Sequence, residues 1–490
     1  MRLVFFILLS LNVLRQNAQS GFIPINNFGN NPASLSMFAY IPPSINLSQP
    51  CPLVIALHGC SQTALACSQE TGWNDIADKN NFIVLYPEQN LLNNSSNCFN
   101  WFTLSNQQRG GAEPTSIVSM INYMKNNFPI DSNKIYVSGL SAGGAMASIM
   151  MACYPEIFDK GAIFSGIPYT NTSGLIQANS QMQGMINKTA SQLGNLLLSA
   201  NPGFQSNYPE VAIFHGNNDL VVNYMNQQEQ IEQWTFVHQT DSIVDLSRNN
   251  FSSNPIVSMN TYYKPNGKEV VRAYSFNGVG HIFPIDVGTC YQQAGQSGNY
   301  SFDINFSGAF WAADFFGITK DTSIRISGAD TVLANSSNIN YSVNGANGYY
   351  LWDVPAGASI ISGQGTNQVI INFGNNSGNV SVSIANGNCV EGPVNFPVEV
   401  INANAVIVTK NNKDLQFIIN NEEELEIINP GEKIDEISIH GLDGKCFQKT
   451  SILFESKIKL ESQITTGIYV LRAVKKSGSI INKKIFINKQ

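Results

Sequence analysis

The stretch Lys134-Ile-Tyr-Val-Ser-Gly-Leu-Ser-Ala-Gly-Gly-Ala-Met146 decides the fold. A β-forming run, Ile135–Val137, leads into Gly139-Leu140-Ser141-Ala142-Gly143, and small residues in a helical pattern follow at once. That order is the sequence form of a nucleophile elbow, in which a strand turns sharply into a helix and leaves one serine exposed at the bend. The turn drives the serine into a strained backbone conformation, so the flanking glycines meet a steric need. The helix that follows aims its first N–H groups at the bend, where they can stabilise an oxyanion.

Outward from the elbow, residues 21–317 alternate between strand and helix patterns. Apolar strand candidates are Leu53–Leu57, Phe82–Tyr86, Ile135–Val137, Ala162–Phe164, Val211–Phe214 and Val270–Phe276. The clearest helix places Ile117, Ile121, Met124 and Phe128 on one face, with Pro114 suited to its first turn. Alternation of this kind predicts an α/β class with a mostly parallel sheet covered on both faces. Ligands of such folds bind beyond the carboxyl ends of the strands.

A serine hydroxyl needs a base within hydrogen-bond reach, and the base needs an acid that fixes its tautomer. In the order expected after a nucleophile elbow, the acid comes next and the histidine last. The strand Val211–Phe214 runs into His215-Gly-Asn-Asn-Asp219, which puts Asp219 just past a strand end. The strand ending at Phe276 leads through Asn277-Gly-Val-Gly280 to His281, which is the predicted base; Asp286, also near it, competes with Asp219 as the acid. Among the five histidines, His440 lies in the tail, His238 follows no strand, His58 precedes the serine, and His215 is four residues from the proposed acid. The oxyanion calls for two donors. They are the backbone N–H of Ala142 and that of Cys60, which follows Leu53–Leu57 through His58-Gly59. Trp101 either lines an acyl or sugar subsite or belongs to the core.

Only 12% of the 490 residues are charged, against roughly 25% in an average globular protein, and Asn, Ser and Gly fill the difference. The net charge of −7 and the lack of a basic run argue against a nucleic-acid partner. Residues 1–19, with Arg2 before the apolar run Leu3–Leu9, read as a cleaved signal peptide. No other stretch is long enough to span a membrane. Eight cysteines in an exported chain favour disulfides, with at least one bridge among Cys51, Cys60, Cys67 and Cys98, and Cys389 and Cys446 as candidate free thiols. No spacing suits a metal, and the chemistry needs no cofactor.

Near Gly317 the texture changes. Residues 320–400 carry short alternating runs broken by Gly and Asn, which predict a small β-sandwich. Residues 404–490 turn to Lys, Glu and Ile, with strand candidates Ile434–His440, Gly467–Ala473 and Lys483–Ile487 and turns at Gly441–Gly444 and Lys476–Gly478. That is a second small all-β module, and neither module holds a catalytic constellation.

The motifs His58-Gly-Cys-Ser-Gln62, Gly72-Trp73, Tyr86-Pro-Glu88, Cys98-Phe-Asn-Trp-Phe102, Gly139–Met146, His215-Gly-x-x-Asp219 and Gly280-His281 lie in register across residues 21–317. In them the chain resembles the polyhydroxybutyrate-depolymerase family of esterases. The resemblance implies an α/β-hydrolase domain, a triad of Ser141, Asp219 and His281, an oxyanion hole at Cys60 and an aromatic subsite at Trp101. One departure is Phe283-Pro284, where the family often has Trp-Pro. Residues 320–400 resemble a PKD-like domain through Leu351-Trp-Asp-Val-Pro355 and Ser362-Gly-Gln-Gly-Thr366. The tail is similar to a C-terminal sorting domain of the type IX secretion system, although the usual Pro-Asn-Pro opening is missing near residue 410.

The expected function is therefore a secreted serine esterase acting on poly(3-hydroxyalkanoate) or its oligomers, with the type IX secretion machinery as an export partner. The alternatives are a feruloyl or acetyl-xylan esterase acting on plant polysaccharide, and a non-catalytic surface binding protein.

Overall fold

The computed structural model describes residues 20–320, 324–344, 348–386, 389–401 and segments between 416 and 487. The expected signal peptide at 1–19, the region around residue 410 and part of the turn at Lys476–Gly478 lie outside the described residues. The chain divides into two compact units, Met1–Asp321 and Thr322–Gln490.

The first unit is built on one ten-stranded sheet. In chain order its strands are β1 (Gly21–Ile25), β2 (Ser36–Ile41), β3 (Cys51–Leu57), β4 (Ile83–Glu88), β5 (Ile130–Leu140), β6 (Lys160–Phe164), β7 (Glu210–Gly216), β8 (Leu246–Asn249), β9 (Val257–Tyr263) and β10 (Glu269–Phe276). They lie in the order β1-β2-β4-β3-β5-β6-β7-β10-β9-β8. The six central strands from β4 to β10 pair in parallel, and the two strands at each edge are antiparallel. This is the α/β-hydrolase arrangement, and it explains the unbroken apolar runs. In β3, Leu53, Ile55 and Leu57 enter one core while Val54 and Ala56 enter the core on the other face.

Helices α1 (Ala64–Glu70), α2 (Trp73–Asn80), α3 (Ala112–Asn127), α4 (Ala142–Cys153), α5 (Gly174–Met182), α6 (Ala190–Ser199), α7 (Met225–Val237) and α8 (Gly308–Phe316) connect or cover the strands. The α3 helix buries Ile117, Ile121 and Met124 and carries Pro114 in its first turn. Parallel register sets Leu140 beside Phe164, Phe164 beside Phe214, and Gly216 beside Phe276. The loops that leave β5, β6, β7 and β10 therefore open at the same edge of the sheet.

In the second unit, residues 325–401 form two four-stranded sheets around Tyr341, Trp352, Val369, Ile371, Val380 and Val382. The Trp352 indole N–H is satisfied by Thr366 O at 2.9 Å. Farther on, Ile434–His440 pairs with Gly467–Lys475, which pairs with Ile480–Ile487. Among the described residues, no helix is long and apolar enough to cross a membrane.

Candidate active site

Ser141 is the single residue between β5 and α4, with φ 57° and ψ −116°. A residue with a side chain keeps such a backbone only where its surroundings hold it there. Ser141 N–H donates to Phe164 O on β6, and Ser141 O accepts from Ala145 N–H, both at 2.9 Å. A Cβ on Gly139 would lie 2.2 Å from Gly143 O, and one on Gly143 would lie 2.2 Å from Leu57 O. The second approach sets the first turn of α4 against the end of β3, so the loop of residues 58–60 borders the elbow. Ala142 opens α4, where the first N–H groups have no intrahelical partner.

Asp219 lies in the loop after β7 and is buried. Its Oδ1 accepts the N–H groups of Val221 (2.9 Å) and Val222 (2.8 Å), and its Oδ2 accepts Nδ1–H of His281 at 2.7 Å. His215 Nε2 approaches the same Oδ2 at 3.5 Å and lies 2.8 Å from Val222 O. Burial alone would raise the Asp219 carboxyl. The hydrogen bonds from His215 and His281, the charge of His281 and the Val222 N–H together outweigh it and hold the group well below the ordinary aspartate range. Asp286, the competing acid, instead accepts Gln293 Nε2 at 3.0 Å.

The two loops are stitched together. Asn217 N–H reaches Phe276 O and Asn218 N–H reaches Val279 O, each at 3.0 Å, while Gly278 N–H reaches Asn217 Oδ1 at 2.8 Å. With Nδ1–H committed to Asp219, the lone pair of His281 is on Nε2, the nitrogen a base would use. Among the described residues, neither Nε2 nor the Ser141 hydroxyl has a hydrogen-bond partner. Catalytic hydrogen bonds often tighten only when substrate is bound.

Beside the elbow, His58 is fully buried and tilts against Phe99 with ring centroids 4.9 Å apart. Its Nδ1–H donates to Gly59 O at 2.7 Å, and its Nε2 accepts Gln89 N–H at 3.0 Å. Burial lowers its pKa to about 4 against the opposing pull of Gly59 O, so the ring is neutral and locked in one tautomer. Cys60 is bonded to Cys98, the one bridge formed within the expected group of four. Ser61 N–H also pairs with Ser96 O at 2.8 Å, and Asn97 Nδ2 with Gln62 O at 2.6 Å. Trp101 is 6% exposed and meets Phe102 edge-on at 5.6 Å, so most of the indole serves the core. Cys51, Cys67 and Cys153 are buried thiols and Cys446 is an exposed one, whereas Cys389, expected as a free thiol, is disulfide-bonded.

Residues 35–247 match the family described as Esterase PHB depolymerase, and residues 319–400 match the PKD-like domain. Poly(3-hydroxyalkanoate) depolymerase C of Paucimonas lemoignei is 37% identical over 294 residues, covering 60% of this chain and 69% of the relative. The chain belongs to this esterase family. Feruloyl esterase B of Talaromyces stipitatus is 31% identical over 281 residues, covering 56% of this chain and 75% of the relative. Acetylxylan esterase of Coprinopsis cinerea is 33% identical over 270 residues, covering 53% and 68%.

This esterase, a carboxylic ester hydrolase, takes an esterified substrate. Sequence reasoning overlooked the polar residues beneath its elbow. Glu113, in the first turn of α3, is almost fully buried, and its Oε1 accepts Gln89 Nε2 (2.6 Å) and Asn100 Nδ2 (2.7 Å). Its Oε2 accepts Asn100 N–H at 2.9 Å. In the sequence, Glu113 looks like an ordinary acid at a helix N-terminus, and only burial sets it apart.

Proposed function

We propose that this esterase hydrolyses poly(3-hydroxyalkanoate) or its oligomers through Ser141, His281 and Asp219. Ser141 Oγ attacks the ester carbonyl while His281 Nε2 takes its proton. The backbone N–H groups of Cys60 and Ala142 bind the oxyanion, and an edge of Trp101 borders the acyl group. Collapse of the tetrahedral intermediate breaks the ester C–O bond, and His281 returns the proton to the leaving alcohol. Water, deprotonated by His281, then releases the acid and restores Ser141.

The observation that carries the polyester reading is the character of the catalytic edge. Residues 58–69, 89–108 and 165–187 contain no Asp, Glu, Lys or Arg, and Asp219 is the single charged residue type in 217–228. These segments follow the carboxyl ends of β3, β4, β6 and β7. They expose Leu92 (100%), Ile176 (85%) and Leu220 (82%), with Leu175 and Met185 also open. The opposite ends of the strands carry ion pairs instead, such as Lys160–Glu210 at 3.0 Å and Arg272–Glu269 at 2.6 Å. A charged rim must be desolvated when it meets an apolar solid, and an aliphatic rim gains from the contact. The similarity to a poly(3-hydroxyalkanoate) depolymerase supports the same substrate.

The similarity to feruloyl and acetylxylan esterases supports a second reading, an ester on plant polysaccharide. Export of the chain, with the tail strands engaging the type IX secretion machinery, is part of the same proposal; the Cys60–Cys98 bridge supports an oxidising destination. The deciding experiment measures acid release from amorphous poly(3-hydroxybutyrate) granules by wild type and Ser141→Ala. Release that the variant abolishes supports the proposal. Wild-type protein that leaves granules intact but deacylates feruloylated or acetylated xylan overturns it in favour of the second reading.

A further inference from the structure

Among the contacts that hold the loop carrying Cys60, two routes converge on one buried carboxylate. On the first, Glu113 Oε1 accepts Gln89 Nε2 at 2.6 Å, Gln89 N–H donates to His58 Nε2 at 3.0 Å, and His58 Nδ1–H donates to Gly59 O at 2.7 Å. On the second, Glu113 Oε2 accepts Asn100 N–H at 2.9 Å, two residues from Cys98, which is bonded to Cys60. The Gly59 carbonyl and the Cys60 N–H belong to one trans peptide and point in opposite directions. Because His58 is fully buried, a carbonyl fixed on its Nδ1–H faces inward, and the Cys60 N–H of the same peptide points the opposite way.

We infer that Glu113 is the positioning residue of the oxyanion hole, closing a ring of contacts through Gln89, His58 and the Cys60–Cys98 bridge that aims the Cys60 N–H. The inference rests on the reading of Cys60 as an oxyanion donor. Its chemistry is specific to a carboxylate. All three partners are N–H donors, and none can reverse its role. The Gln89 amide is fixed because its Oε1 accepts from Asn90 N–H (3.0 Å) and Asn93 Nδ2 (2.9 Å). The Asn100 amide is fixed because its Oδ1 accepts Asn94 Nδ2 at 2.8 Å, and the Asn100 backbone N–H cannot turn at all. A glutamine at position 113 must therefore set its own NH2 against a donor. Burial pushes the Glu113 carboxyl up to about 7, and the bonds from Asn100 and Gln89, which favour the ionised form, oppose the rise.

The test compares wild type, Glu113→Gln and Ser141→Ala on a soluble ester, p-nitrophenyl butyrate. Removing one oxyanion donor typically costs about 10²–10³ in kcat, so misdirecting it is expected to cost Glu113→Gln about 10- to 100-fold in kcat with KM within about twofold. His58→Asn and His58→Gln form the second arm and do not depend on how Glu113→Gln folds. Asparagine places an N–H where Nδ1–H stands and is expected to retain more kcat than glutamine, which reaches only toward Nε2. A Glu113→Gln kcat within twofold of wild type, a rise confined to KM, or equal rates for the two His58 variants would overturn the inference. If Ser141→Ala keeps the wild-type rate, the underlying serine-esterase reading fails instead, and the two failures are distinguishable.

Discussion

Replacing Asp219 with asparagine tests the proposed triad most sharply, because the structure dictates how the new amide must sit. Oδ1 of Asp219 accepts two backbone N–H groups, from Val221 and Val222, at 2.9 and 2.8 Å. An asparagine keeps its carbonyl oxygen there, since turning the amide over would set NH2 against two fixed donors. The NH2 then occupies the place of Oδ2 and faces His281 Nδ1, which now stands 2.7 Å from a carboxylate oxygen. Facing a donor, Nδ1 must give up its hydrogen and accept. The proton moves to Nε2, the nitrogen that has to take the proton of Ser141. This wrong-tautomer penalty is worth about 10⁴ in kcat in serine hydrolases, or about 5.5 kcal/mol of transition-state stabilisation.

The assay is kcat on p-nitrophenyl butyrate for wild type and Asp219→Asn from pH 5 to 9, with thermal melts alongside. Because Asp219 is held well below its ordinary value of 3.8, it stays ionised across that range, so its own protonation contributes no pH dependence to the loss. A carboxyl with a depressed folded-state pKa contributes stability above its unfolded value and loses it as pH falls toward the folded one. The gap in melting temperature between the two proteins should therefore be full at neutral pH and close below 3.8. A variant within tenfold of wild type would refute the orientation argument.

Two further outcomes follow from the same structure. Cys60→Ser with Cys98→Ser opens a bridge spanning 38 residues, which is expected to cost about 4 kcal/mol in the chain-entropy picture, measured by denaturant unfolding with and without reductant. Leu175→Asp with Ile176→Asp places two charges on the uncharged rim, in the first turn of α5, where acids suit the helix dipole and leave folding intact. Acid release from granules should fall about tenfold while kcat/KM on the soluble ester changes less than about twofold; equal loss on both substrates would show that the rim does not meet the polymer.

Much of the first unit was legible in the sequence because the parallel strands are buried on both faces and read as continuous apolar runs. The edge strands were not. In β1 and β2 exposed or half-buried residues interrupt the pattern, and in β8 every side chain is at least partly open. The proposed triad of Ser141, Asp219 and His281 could be read from the sequence because each residue directly follows a strand or its turn, so local spacing carries the reading. The polar network under the elbow could not. Gln89 meets His58 across 31 residues and Glu113 across 24, and no periodic pattern marks such pairs. The cysteines lay between these cases, since crowding in sequence suggested a bridge but only the packed loops select Cys60 and Cys98.

The elbow also constrains how an esterase of this kind can change over generations. A side chain at Gly139 or Gly143 would strike backbone oxygens of Gly143 or Leu57, and no rotamer change relieves contact with main chain. Drift is thereby barred from the turn that presents Ser141. New specificities must arise in the segments that surround it, such as 89–108 and 165–187, whose exposed side chains can be exchanged without moving the serine. Relatives named for a polyester, for feruloyl esters and for acetylated xylan are what such a division of labour would produce: one immovable turn, and a border free to be rewritten.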